Sequence, residues 1–169
     1  MKVGKAMVGW AAAGCLAFGG LLAVLYPFSQ GDSHWAARPG AADAPVMALL
    51  PDADPATGAR IFRRCAACHT IGKDAPDLNG PNLYGVLGAP VGGNRRRYAY
   101  TRALRAAGGR WDFGRMDAWL KNPQHFAPGT SMAFPGLPAS TDRADVIAYL
   151  NSQGSNLPLP VPAEQSAAR

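Results

Sequence analysis

Cys65-Ala66-Ala67-Cys68-His69 is the stretch on which the reading of this 169-residue chain turns. With three Cys and three His in 169 residues, chance produces C-x-x-C-H on the order of once in a thousand such sequences. Cysteines at i and i+3 share one helix face, where both sulfurs can add to the two vinyl groups of a haem. The adjacent His69 then turns its imidazole under the ring to ligate iron. Three other chemistries fit less well. A thioredoxin-like pair wants a strand before it and no fixed His after it. A zinc site wants a second Cys/His pair, and only His34 and His125 remain. A structural disulfide has no use for the His. The expectation is one covalent haem c on Cys65 and Cys68, with His69 as a metal ligand.

Haem iron needs a sixth ligand or an open position. Met1 and Met7 belong to the apolar N-terminus and Met47 to a linker, while Met116 sits at helical spacing with Phe113 and Leu120 as core filler. Met132 lies instead in Pro128-Gly129-Thr130-Ser131-Met132-Ala133-Phe134-Pro135, too rich in Pro and Gly to be helix. Opposite a haem it is the leading metal ligand, because a thioether stabilises ferrous iron and raises the reduction potential. His125 is the rival, better read as a surface residue beside Asn122-Pro123.

Outward from this motif, the chain divides. Hydrophobic residues make up 48% and charged residues 17%, with 20 Gly and 15 Pro, which excludes a coiled coil. Residues 54–156 read as one all-α domain with long Gly/Pro loops. Helical signals run from Asp54-Pro55 to about Cys68, from Thr101 to Ala107, from Asp112 to Lys121, and from Ser140 or Thr141 to Gly154. Residues 30–53 read as an Ala/Pro-rich linker with few apolar anchors, and 157–169 as a Pro-spaced tail without a regular element. A core of this size gains from a large internal ligand.

Residues 1–29 differ from the rest. After Lys2 and Lys5 no charge occurs until Asp32, and Met7–Phe28 is 22 residues long. As a helix at ~1.5 Å per residue it matches a bilayer core of roughly 30 Å. Trp10 and Tyr26 stand near its ends, and the leading lysines keep the N-terminus cytoplasmic. A cleaved signal would have a shorter apolar run and a small-x-small site, which Asp32-Ser33-His34-Trp35 does not supply. A lipoprotein box at Ala13-Gly14-Cys15 is opposed by the apolar residues that follow; Cys15 reads as an inert small hydrophobe. The expectation is an uncleaved N-terminal transmembrane helix in a bacterial inner membrane, with the haem domain in the periplasm.

The chain resembles the class I c-type cytochromes, and closely the mitochondrial-like branch that includes membrane-anchored bacterial electron carriers. The resemblance spans about Gly58 to Leu150. It rests on ordered motifs: Gly58-x-x-Ile-Phe62, Cys65-x-x-Cys68-His69, Gly80-Pro-Asn-Leu83, Tyr98-x-Tyr100-Thr101, Trp111, Leu120-x-Asn-Pro123, Pro128-Gly-Thr-x-Met132-x-Phe134 and Asp142-Arg-Ala-Asp-Val-Ile-Ala-Tyr-Leu150. It implies the class I cytochrome c fold, helices packed around a covalently bound haem. It also implies that the Pro81 carbonyl accepts the His69 Nδ1–H bond, and that Tyr100, Thr101 and Trp111 donate to the haem propionates. Trp119 stands where the family usually has a Tyr near the Met sulfur, and Gly58, Phe62 and Tyr149 mark the crossing of first and last helices. Two departures stand out. Gly88-Ala89 replaces the family's Gly-Arg, with Arg95, Arg96 or Arg97 as substitutes or as solvated surface, and Leu104 replaces a polar residue on the Met side.

What the resemblance implies about function is a one-electron carrier, not an enzyme, running from a cytochrome bc complex to a haem–copper terminal oxidase. Residues 54–156 carry 13 Lys+Arg against 7 Asp+Glu. Arg63, Arg64, Lys73 and Lys121 would ring the haem edge and meet acidic docking faces on those partners. A nucleic-acid role is disfavoured by export and by the lack of aromatic-interleaved basic runs. The other readings are a fixed haem subunit of a larger membrane complex, and a five-coordinate haem peroxidase or gas sensor. The ordered match around Met132 argues against the latter.

Overall fold

Asp54 and Pro55 start a helix for reasons visible in the residues themselves. The Asp54 carboxylate accepts from the backbone N–H of Ala56 at 2.9 Å and of Thr57 at 3.0 Å, and Pro55 needs no partner for its missing N–H. The computed structural model describes residues 43–161. In it the helices are α1 (Val46–Leu49, followed by a 3-10 turn Leu50–Asp52), α2 (Pro55–Phe62), α3 (Arg102–Ala107), α4 (Phe113–Lys121), α5 (Pro123–Phe126) and α6 (Ser140–Leu150). Among the described residues there is no strand, only one isolated bridge between Pro90 and Arg110. The expected anchor in 1–29 lies outside the described residues, as do 30–42 and 162–169. Among those described, no helix is long and apolar enough to cross a membrane.

Thr101 and Asp112 cap α3 and α4 through the Leu104 and Arg115 N–H groups, at 3.2 and 2.7 Å. Three boundaries differ from expectation. The helix expected to reach Cys68 stops at Phe62. Beyond it, bonds from Cys65 N to Phe62 O (2.7 Å) and from Cys68 N to Cys65 O (3.0 Å) tighten the winding into turns. The helix expected to reach Gly154 ends at Leu150 and continues as a wider turn, Asn151–Ser155, closed by Asn156 N to Asn151 O at 2.8 Å. Asn122-Pro123, read as a stop, also starts a helix: the Asn122 side chain caps the His125 N–H at 3.0 Å, and a proline at the first helical position initiates as readily as it terminates.

The linker expectation for 30–53 is corrected at its C-terminal end. Val46 and Leu49 are buried and Leu50 is 0% exposed, all in the core cluster, with α1 against α4 and α6. Three apolar side chains at i, i+3 and i+4 suffice to dock one helical turn, and the surrounding Ala and Pro obscure them.

The core sits where α6 crosses α2. A Cβ on Gly58 would overlap the Asp145 carbonyl oxygen, so only glycine permits this approach. Beside it the Phe62 and Tyr149 rings meet at 5.3 Å, and the Asp54 N–H donates to Asp145 Oδ1 at 2.8 Å. That crossing, together with α4, walls a cavity.

Candidate haem site

The cavity encloses about 450 Å³, within the range of cofactor sites. Cys65, Cys68, His69, Pro81, Tyr100, Thr101, Trp111, Trp119 and Met132 all line it, though they come from positions nearly seventy residues apart. Phe62, Leu104, Leu120, Val146 and Leu150 supply apolar wall, and Met116, buried in the core, reaches it too. His125 is exposed and does not border it.

One wall is built around His69. Its Nδ1 lies 2.7 Å from the Pro81 carbonyl oxygen. A carbonyl can only accept, so Nδ1 carries the proton and Nε2 keeps its lone pair for a metal. Burial lowers the imidazole pKa, opposed by the Pro81 bond, and so favours the neutral ligating form. Gly80 is in contact with the ring: a Cβ there would overlap it. The loop that presents Pro81 is organised by Asn82, which is 0% exposed. Its Nδ2 donates to Thr70 Oγ1 (2.7 Å) and to the carbonyls of Gly72 (2.9 Å) and Ala75 (3.1 Å). Its Oδ1 accepts from Tyr84 N at 2.7 Å. Sequence reasoning quoted Asn82 within the Gly80–Leu83 motif but gave it no role; its adjacency to Pro81 was the available signal.

Another wall is the irregular run carrying Met132. Gln124 Nε2 donates to the Thr130 and Met132 carbonyls at 3.0 and 3.3 Å. Leu137 N donates to Leu120 O at 2.8 Å. Trp119 stands beside Met132 in the lining and packs with Trp111 (5.7 Å) and Phe126 (5.7 Å), where Trp111 and Phe126 stack at 5.4 Å.

A third face carries polar donors. The Tyr100 hydroxyl accepts from the Arg95 N–H at 3.1 Å, which leaves its own proton for an acceptor in the cavity. Burial raises its pKa and keeps that proton in place. Thr101 Oγ1 accepts from Leu104 N and likewise keeps its proton. Trp111, 5% exposed, has no acceptor for its indole N–H among the described residues. Three unspent donors around an otherwise apolar cavity fit a large planar ligand with acidic substituents.

The substitutes for the missing Gly88-Arg partner are located plainly. Arg95 is committed to Asp77 Oδ1 at 3.1 Å and reaches Ala75 O at 3.4 Å. Arg96 and Arg97 are exposed, and none of the three borders the cavity. Of the basic rim, Arg64 borders it, with its guanidinium 5.7 Å from the Phe134 ring centroid, while Arg63, Lys73 and Lys121 are exposed.

The donor set fits haem c: two free thiols, an imidazole with a fixed tautomer, a thioether and unspent hydrogen-bond donors border one apolar space. Comparison with known proteins agrees. The cytochrome c family model matches residues 55–154. A cytochrome c homolog of Bradyrhizobium diazoefficiens is 43% identical over 122 residues, covering 72% of this chain and 66%, just under two thirds, of that protein. Cytochrome c of Theileria annulata is 43% identical over 108 residues, 63% of this chain and 92% of its own length. Cytochrome c2 of Rhodomicrobium vannielii is 40% identical over 100 residues. Among solved structures, cytochrome cH from Methylobacterium extorquens superposes with a TM-score of 0.54 at 39% identity, covering 59% of this chain and 98% of that one. This chain therefore belongs to the cytochrome c family, a family of electron carriers rather than enzymes, and holds haem c through Cys65 and Cys68.

Proposed function

We propose that this cytochrome is a membrane-anchored one-electron carrier of a bacterial respiratory chain. It takes electrons from a cytochrome bc complex and delivers them to a haem–copper terminal oxidase. The observation that carries this reading is that His69 and Met132 border the same largely apolar cavity as Cys65 and Cys68. His69 and Met132 would hold the iron of a bound haem through an imidazole and a thioether, and the group would supply a one-electron change of valence.

The residues divide the work. His69, its tautomer set by Pro81, gives Nε2 to iron. Met132 gives a sulfur that favours the reduced state. Tyr100, Thr101 and Trp111 hold protons for the propionates, and the apolar wall excludes water. Arg63, Arg64, Lys73 and Lys121 form the basic rim that meets acidic partner faces and makes encounter salt-sensitive. Residues 1–29 serve as an uncleaved inner-membrane anchor with the haem domain in the periplasm. That part rests on the 22 uncharged residues of Met7–Phe28 behind two lysines. The anchor confines the search for partners to the membrane plane.

The test uses the full chain in washed membranes. The expected results are retention in the membrane fraction, a ferric spectrum with a near-infrared sulfur-to-iron band, and reduction by a bc complex with reoxidation by a haem–copper oxidase at rates that fall as salt rises. A high-spin ferric spectrum with rapid peroxide turnover overturns the carrier reading. Release as a soluble protein, shortened at its N-terminus, overturns the anchor.

A further inference from the structure

Arg143, on α6, is a full charge buried to 5% exposure in a core that contains few other charges. A buried guanidinium persists where its donors are matched, and here Nε and Nη1 make three bonds. Its Nε donates to Asp117 Oδ1 on α4 at 2.6 Å. Its Nη1 donates to the carbonyls of Leu137 and Pro138 at 2.8 and 2.6 Å. One side chain thus joins α4, α6 and the downstream end of the run that carries Met132. The same end is held by the Leu137–Leu120 backbone bond, and by Gly136, whose missing Cβ is what lets it lie on the Lys121 carbonyl. Upstream, Gln124 holds Thr130 and Met132. Between the two ends, among the described residues, no hydrogen bond holds the backbone of 133–135.

We infer that the Arg143–Asp117 pair is a clasp that positions Met132 for iron, so that its integrity sets how often the sixth ligand is off. The inference rests on the reading of Met132 as that ligand. Residues 133–135, just past Met132, have no backbone bond of their own and are placed through their ends, and the downstream end is fixed by two charge-assisted bonds from a planar fork whose third bond goes to Asp117. A lysine ammonium cannot reproduce that geometry. Arg143 does not border the cavity, so it acts through the loop and is a positioning residue.

The test uses the haem-loaded full chain in the ferric state with imidazole as competing ligand, and denaturant stability is measured alongside. An external ligand binds only when the sulfur is off, so its apparent affinity reads that fraction directly. R143M is expected to bind imidazole on the order of tenfold or more tighter than the parent. It should also show a weaker sulfur-to-iron band and a lower reduction potential. R143K recovers part of the loss. D117N, which keeps an acceptor oxygen but no charge, shifts in the same direction by less. Y149L weakens the α2–α6 crossing without touching the loop and leaves imidazole affinity at the parent's value.

If R143M and D117N keep the parent's imidazole affinity and potential whatever their denaturant stability, the clasp is overturned. The same follows if Y149L tightens imidazole as much as they do. Should R143M fail to mature with haem, R143K and D117N decide by the same criteria. A parent with no sulfur-to-iron band and an iron already open to imidazole overturns Met132 ligation and the clasp together. Failure of the variants against an intact parent band overturns the clasp alone.

Discussion

The walls of the cavity that carry His69 and Met132 are built on different principles. The His69 wall is local and dense. Within 68–84, Gly80 N donates to Cys68 O at 2.8 Å, Leu83 N to Thr70 O at 2.9 Å, and the fully buried Asn82 ties four further groups together. The same wall carries both cysteines, so the haem is covalently part of it. The Met132 wall is a run without regular structure whose backbone is held mainly at its ends, by partners on α4, α5 and α6. A wall stabilised by its own short-range bonds moves as a unit. One held by distant helices follows changes at the contacts those helices make with it, at Leu120, Gln124 and Arg143. The lesson is that ligand loss, when it occurs, belongs to the Met132 side.

The largest expected effect separates covalent from coordinate attachment. Replacing both Cys65 and Cys68 by Ala should abolish stoichiometric haem in the mass of the chain. Met132→Ala should leave that mass intact while removing the sulfur-to-iron band and opening the iron to a high-spin state. Equal haem loss from both would break the distinction between the walls.

Next in size comes the contrast between a buried hub and an exposed tie. Asn82→Ala removes an amide that donates to three oxygens and accepts from one N–H at a fully buried position, and should cost about 3 kcal/mol or more in denaturant unfolding. Gln124 is exposed, and Gln124→Ala should stay within about 1 kcal/mol while tightening imidazole binding modestly. A reversed order would show that the Met132 wall, not the other, carries the stability.

Smaller again is Gly58→Ala, which lies behind both walls. The overlap with the Asp145 carbonyl should force α2 and α6 apart at roughly 1–3 kcal/mol, lowering thermal stability without changing the ferric spectrum. The smallest effect is acid-dependent. The Asp54 carboxyl is held below the usual carboxylate range, first by the Thr57 hydroxyl and then by the Ala56 N–H. A lowered folded-state pKa means stability that is present above the unfolded value of about 3.9 and is lost as pH falls through the folded one. Asp54→Asn caps the helix without titrating, so the parent's advantage over it should shrink below about pH 4 in acid-unfolding curves.

Legibility in the sequence followed the range of the interactions. Every residue named for the site borders one cavity: Pro81, Tyr100, Thr101, Trp111 and Trp119 were legible only through the resemblance to the family, whereas Cys65, Cys68, His69 and Met132 were legible from local chemistry. Three of the helix starts were legible for the same reason, since Asp54, Thr101 and Asp112 cap with their own side chains. What escaped was decided at a distance. Val46, Leu49 and Leu50 look like linker until α6 is there to cover them. Arg143 reads as an ordinary helix-surface charge until Asp117 and two carbonyls surround it. Asn82 reads as a loop asparagine until the chain folds back around it.

The amino-acid order by itself determined the cofactor, its covalent attachment, which two residues are proposed for iron, and where three of the helices begin. Those depend on groups a few residues apart, whose relative placement the backbone's own geometry limits. Tertiary structure alone decided that Val46, Leu49 and Leu50 join the core, that none of Arg95, Arg96 and Arg97 borders the cavity, and that a buried guanidinium holds the end of the run that carries Met132. The physical reason is that burial and charge pairing between α1, α4 and α6 exist only once segments far apart in the chain have excluded water from one another.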